Sequence, residues 1–205
     1  DNQTVLDSYG PLSFDCHGSV GLYVTIVLPG SSRILNLAEV YVYAQSTFIS
    51  NLPATPRIGA IMSSTEGPHV ATNCIDDDMY NFCHTLESTS PWLSVQLPGG
   101  TASDPLSTVS HVVLYNRYDC CQGRLSPFQI WVGMSPGDYN SSSSSECGVH
   151  DQLVPISLPA SLGPFAYDCR DGSGADLVGL YVTIVLPGTS RILNLAEVRV
   201  FSQLI

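Results

Sequence analysis

The chain has 205 residues, 44% of them apolar and only 12% charged, with 7 basic against 18 acidic side chains and a formal net charge of −11. So acidic a surface cannot neutralise phosphates, which excludes nucleic acid and anionic lipid surfaces as partners. The apolar content is ample for a packed core, yet no apolar run reaches the roughly 18 residues of a membrane span, and residues 1–30 lack the basic-then-apolar order of a signal peptide.

No window keeps a helical period, whereas Ser, Thr, Gly and Pro are plentiful and short β-branched runs recur, so the expected class is all-β. The chain opens with a glycosylation sequon at Asn2 and a first cysteine at Cys16. Next comes Gly21-Leu22-Tyr23-Val24-Thr25-Ile26-Val27-Leu28-Pro29-Gly30, which returns as Gly179 to Gly188, an offset of 179 − 21 = 158 residues. The following ten residues return too, with Thr189 for Ser31 as the single difference. Two strands without a sheet to pair with would be a sticky edge, so each copy needs a partner sheet.

Asn73-Cys74-Ile75-Asp76-Asp77-Asp78-Met79-Tyr80-Asn81 places three consecutive carboxylates between amides. Hard oxygen donors at this density suit Ca²⁺, although the loop is not an EF-hand, and a solvated acidic turn satisfies the same residues. Cys83-His84-Thr85 follows, then Pro91-Trp92-Leu93-Ser94-Val95-Gln96-Leu97, in which Trp92 reads as a core strand residue. His84 by itself reads first as a structural histidine. A strand from Val109 to Tyr115 and another from Phe128 to Val132 flank Asn116-Arg117-Tyr118-Asp119-Cys120-Cys121-Gln122-Gly123-Arg124. This turn presents two guanidiniums, whose fixed donors suit carboxylates, phosphates or vicinal sugar hydroxyls. Cys120 and Cys121 either bond to each other, placing an apolar plate beside the donors, or pair with different partners. Asn140 heads a second sequon in a serine-rich loop. Seven cysteines imply an oxidising compartment, hence a secreted, extracellular or cell-surface protein. Asp76 and Asp78 have no separated carboxylate to work against, and no nucleophile or phosphate motif occurs, so catalysis is not expected.

Taken in order, His84, the Pro91-Trp92 strand, Arg117-x-Asp119-Cys120-Cys121-x-x-Arg124 and the late Leu195-Ala196-Glu197-Val198 resemble the signature of F-type lectin (fucolectin) domains. The spacer from His84 to Arg117 is about six residues longer than that family's, with the surplus in Pro98 to Ser103, where a surface loop absorbs it at little cost. The resemblance implies an antiparallel β-sandwich of the jelly-roll, discoidin-like kind. Residues 1–45 would then be the closing strands of a preceding module and 46–205 one complete module.

It further implies that His84, Arg117 and Arg124 hydrogen-bond α-L-fucose, that a Cys120–Cys121 disulfide packs against the sugar ring, and that Asp119 orients an arginine. A structural Ca²⁺ would be held by Asn73, Asp76, Asp78, Asn81, the carbonyl of Ala196 and Glu197. Cys147–Cys169 and Cys74–Cys83 would be the remaining bridges, with the partner of Cys16 in the preceding module. His69, His111 and His150 have no such context and are left as surface or core residues. The leading expectation is an extracellular, calcium-dependent, fucose-type lectin module of a tandem array, its partners fucosylated glycans and neighbouring copies paired in cis or in trans. The runner-up is a structural module of an extracellular fibre or coat, joined through residues 1–45. A third reading is an accessory module of a carbohydrate-active enzyme.

Overall fold

In the computed structural model, residues 24–37, 40, 42, 54–148 and 163–202 are described, and the chain divides into two units, Asp1–Ser46 and Thr47–Ile205. The second unit carries, in chain order, β1 (Gly59–Met62), β2 (Cys83–His84), β3 (Trp92–Gln96), β4 (Ser107–Val109), β5 (His111–Tyr115), β6 (Gln129–Gly133), β7 (Ser145–Glu146), β8 (Phe165–Asp168), β9 (Leu177–Gly179), β10 (Tyr181–Val185), β11 (Asn194–Leu195) and β12 (Glu197–Phe201). Two 3-10 turns, Ala71–Cys74 and Gln122–Leu125, are the only helical segments among the described residues. The fold is therefore all-β, as expected from the composition.

The larger sheet has the order β1-β3-β10-β6-β7 and the smaller one β12-β5-β8, all antiparallel. β10 is central, so Val182, Thr183, Ile184 and Val185 are all buried, on both faces. Val182 stands beside Val95 and Val132, and Ile184 beside Leu93 and Ile130. These side chains join Val112 and Leu114 of β5 and Val198 and Val200 of β12 in one core, which makes the two sheets a sandwich. On the other face of β10 the buried polar groups are paired: the Thr183 and Ser94 hydroxyls lie 2.8 Å apart, and Ser94 Oγ accepts the Gly137 N–H at 2.8 Å.

The strand expected from Val109 to Tyr115 is broken at Ser110. Its N–H and hydroxyl both donate to the Phe201 carbonyl, at 2.8 and 3.0 Å, and its own carbonyl accepts from Cys169 at 2.7 Å. With those groups committed to β12 and to the residue after β8, the chain changes sheet there. β4 pairs with β9, and β5 pairs with β12 and β8.

Disulfides join Cys120 to Cys121 and Cys147 to Cys169, the pairings the resemblance implies, and Cys74 to Cys83, the short staple expected from the cysteines left over. Cys147–Cys169 links the ends of β7 and β8, and Cys74–Cys83 closes the acidic loop onto β2. Cys16 lies outside the described residues.

The repeated stretch has two environments. Val182, Ile184 and Val185 are 0% exposed, whereas their counterparts Val24, Ile26 and Val27 are 56%, 44% and 68% exposed. The described residues of the first unit form no strand. Burial here depends on the strands alongside, since β3 and β6 flank β10 on both sides.

Candidate functional site

Three segments distant in sequence build one cleft. β2 pairs with β11, setting His84 opposite Asn194, and the Thr85 N–H donates to the Leu193 carbonyl at 3.0 Å. β5 ends at Tyr115, and the following turn is tied by the Asn116 amide donating to the Gln122 carbonyl at 2.9 Å and the Gln122 amide donating to the Arg117 carbonyl at 3.1 Å. Cys121, bonded to Cys120, adopts a left-handed φ of 66° and starts the 3-10 turn that holds Arg124. A non-glycine residue in that region stores strain, which is typical of functional turns. The cleft, of about 410 Å³, is lined by His84, Arg117 and Arg124 together with Phe82, His69, Ile192 and Leu86, and by the carboxylates Glu66 and Glu87.

Arg117 is held on two sides. Its Nε and Nη2 donate to the two carboxylate oxygens of Asp119, both at 2.7 Å, and its guanidinium carbon lies 3.8 Å from the centre of the Phe82 ring. That fork draws the Asp119 carboxyl down to about 2. A guanidinium has five N–H donors, so those not used by Asp119 remain for the cleft.

His84 Nδ1 lies 2.7 Å from the Thr85 carbonyl, and because a carbonyl only accepts, Nδ1 carries the proton. Nε2 is then an acceptor, 3.4 Å from Arg124 Nη1. Burial, reinforced by the Arg117 and Arg124 charges, keeps the His84 pKa below the ordinary 6.5. The cleft thus offers fixed donors beside one imidazole acceptor.

Arg191, which the sequence reading passed over, clamps the turn from below: its Nη2 donates to the carbonyls of Arg124, Ser126 and Pro127 at 3.1, 2.9 and 3.1 Å. Phe82 was also missed, although period-two alternation places it on the same face of the chain as His84. His69, left without a role, stacks on Phe82 with ring centres 4.2 Å apart and lines the cleft. Nothing in the local sequence around His69 points there, because it is brought in by backbone pairing, the His84 N–H donating to the His69 carbonyl at 3.0 Å. Asp119 and Cys120 are exposed in the turn beside the buried Arg117, and neither they nor Cys121 are among the residues lining the cleft.

The expected calcium ligands lie close to one another, and several of their oxygens accept hydrogen bonds. Asn73 Nδ2 donates to Asn81 Oδ1, and Asn81 Nδ2 donates to Asp76 Oδ2, both at 3.0 Å. Asp76 Oδ1 accepts the Asp78 N–H, and Asp78 Oδ1 accepts the Tyr80 N–H, each at 2.9 Å. Ala196 is buried behind β11, its N–H donating to the Tyr115 carbonyl at 2.8 Å. Glu197 is fully buried; Oε1 accepts from Arg57 Nη1 and Oε2 from the Asp77 N–H. Burial pushes the Glu197 carboxyl up to about 7, with Arg57 pulling against it. Among the described residues no three His, Cys, Asp or Glu side chains form a metal-holding cluster. A guanidinium on the one buried carboxylate does not fit a calcium cage.

No protein-family model matches the chain. It is 31% identical to Fucolectin-1 of Anguilla japonica over 143 residues, 69% of this chain and 70% of that protein. To the Pentraxin fusion protein of Xenopus laevis it is 28% identical over 134 residues, which is 65% of this chain and only 27% of the other. The solved structure of an F-lectin (fucolectin) from the serum of Morone saxatilis (striped bass) matches with a TM-score of 0.56 and 28% identity, over 70% of this chain and 46% of that one. This chain therefore spans less than half of the length of the latter two. The similarity to Fucolectin-1 extends over more than two thirds of both chains and the sandwich agrees with it: the chain belongs to the F-type lectin (fucolectin) family.

Proposed function

We propose that this chain is an extracellular fucose-type lectin module that binds a terminal α-L-fucose for recognition or adhesion. The observation supporting it is the meeting of His84, Arg117 and Arg124 in one cleft with an apolar wall. A deoxy sugar has hydroxyls on one side and a methyl group on the other. The two guanidiniums donate to hydroxyl and ring oxygens, His84 Nε2 accepts from a hydroxyl, and Leu86 and Ile192 with the edge of Phe82 supply an apolar surface for the methyl group. The names of the relatives and the serum origin of the striped bass lectin favour the same reading. Secretion agrees with the three disulfides and with the exposed Asn140 as a glycan acceptor; Asn2 lies outside the described residues. Residues 46–205 would be the complete module of a tandem array and residues 1–45 the end of its predecessor, so that weak single sites gain avidity.

Calorimetric titration of the full chain with α-L-fucosides tests this, with other terminal sugars as controls. At about pH 7.5 the His84 imidazole is neutral, its pKa lying below 6.5, and binding is expected. Protonation converts Nε2 from acceptor to donor and adds a third positive charge, so affinity should fall as the pH drops below that range, toward about pH 5. The stability linkage has the same sign: the depressed pKa favours the fold above 6.5, and this contribution is lost as the pH falls through the folded-state value. A folded chain that binds no fucoside at about pH 7.5 overturns the proposal.

The exposed apolar side chains of the first unit favour a second reading, assembly of a fibre or coat through residues 1–45. Light scattering of the full chain decides it. A mass that remains that of one chain at all concentrations removes assembly through copies of this chain.

A further inference from the structure

We infer that the Arg57 guanidinium is the cation that fastens the acidic loop to β12, so that the cleft is positioned without calcium. Arg57 lies just before β1, and its side chain is only 11% exposed. Nη1 donates to the Glu197 carboxylate and, at 2.9 Å, to the Val198 carbonyl, while Nη2 donates to Asp77 Oδ1 at 2.9 Å. Asp77 in turn donates its N–H to Glu197 Oε2 at 2.7 Å, and Arg199 Nη2 stands 3.3 Å from Asp77 Oδ1. One planar ion thereby joins the lead into β1, the tip of the loop and the start of β12.

Glu197 and Asp77 already have Arg57 and Arg199 as counter-charges, so a dication bound to the buried Glu197 carboxylate would have to displace the Arg57 guanidinium. The other acidic side chains of the loop, Asp76 and Asp78, are used in hydrogen bonds within the loop itself. The same loop is bonded to β2 through Cys74–Cys83 and runs into Phe82 and His84, so fixing its tip also fixes one wall of the cleft. Arg57 is on this reading a positioning residue that touches no sugar.

The effect on sugar binding rests on the lectin reading, but the test does not. The full chain is melted without sugar, in excess EDTA and in millimolar CaCl₂. The wild-type midpoint is expected to be the same in both. Arg57→Gln should melt lower by roughly 10 °C in EDTA, because Glu197 loses its partner, and should recover part of that in calcium. Arg57→Lys, which keeps the charge without the fork, should fall between the two. A calcium response confined to Arg57→Gln separates a built-in cation from an ordinary packing residue. A rise of several degrees in the wild type on adding calcium overturns the inference, as does the same midpoint with and without calcium in Arg57→Gln. If Arg57→Gln does not fold, the wild type and Arg57→Lys decide: with the charge kept, neither midpoint should move with calcium, and a rise in either overturns the inference. Failure of the chain to bind fucosides would leave these melts unchanged, so the two readings fail separately.

Discussion

Arg117→Ala is expected to weaken fucoside binding by at least about 100-fold while the protein stays folded. Hydrogen bonds from a charged donor contribute about 1.5–3 kcal/mol each when they can form out of water, and the lost guanidinium would make more than one of them. Its fork to Asp119 is also what gives the donors a fixed direction before the sugar arrives. Asp119 is exposed and rehydrates once its partner is gone, its carboxyl returning from about 2 toward the ordinary 3.8. The structural loss is confined to the contact over Phe82. Calorimetry beside a thermal melt checks this. Unchanged affinity in a folded Arg117→Ala protein would remove the guanidinium from the binding site. Arg117→Lys should also bind poorly, since an ammonium cannot form the two parallel bonds to Asp119.

The second large effect is expected at Ile184. Ile184→Ala opens a cavity between β3 and β6 in the fully buried centre of the sandwich and should cost about 2–5 kcal/mol, roughly 10 °C in midpoint. Ile26→Ala changes the same residue in the same local sequence, Val24-Thr25-Ile26-Val27, where the side chain is 44% exposed. It should move the main transition by no more than about 0.5 kcal/mol. Equal losses at the two positions would show that the first copy is packed as the second is.

Much of the site was legible beforehand. The two guanidiniums, the carboxylate and the adjacent cysteines lie within Asn116 to Arg124, so their grouping needs only a turn. His84 joined them through its place in an ordered motif. The strands were legible because side-chain alternation and β-branching act over a few residues, and the shifts at Ser110 and Phe128 are one or two residues. The cleft wall was harder to read. His69 reaches Phe82 because its carbonyl accepts the His84 N–H, 15 residues on, and Ile192 arrives with the connection between β10 and β11.

Arg57 shows the limit most clearly, since it stands 140 residues from Glu197 and no local pattern marks it as a partner. The acidic loop alone read as a solvated turn and the resemblance pointed to calcium, because carboxylates in sequence show their charge but not which groups meet them. The sequence by itself determined the all-β class, the chemistry of the recognition turn and the family, each of which depends on residue type and short spacing. Tertiary structure alone decided which copy of the repeat is buried, which cation meets Glu197 and which aromatic rings line the cleft. Burial and charge pairing are set by strand neighbours brought together across the whole chain, and nearly identical local sequences do not encode those neighbours.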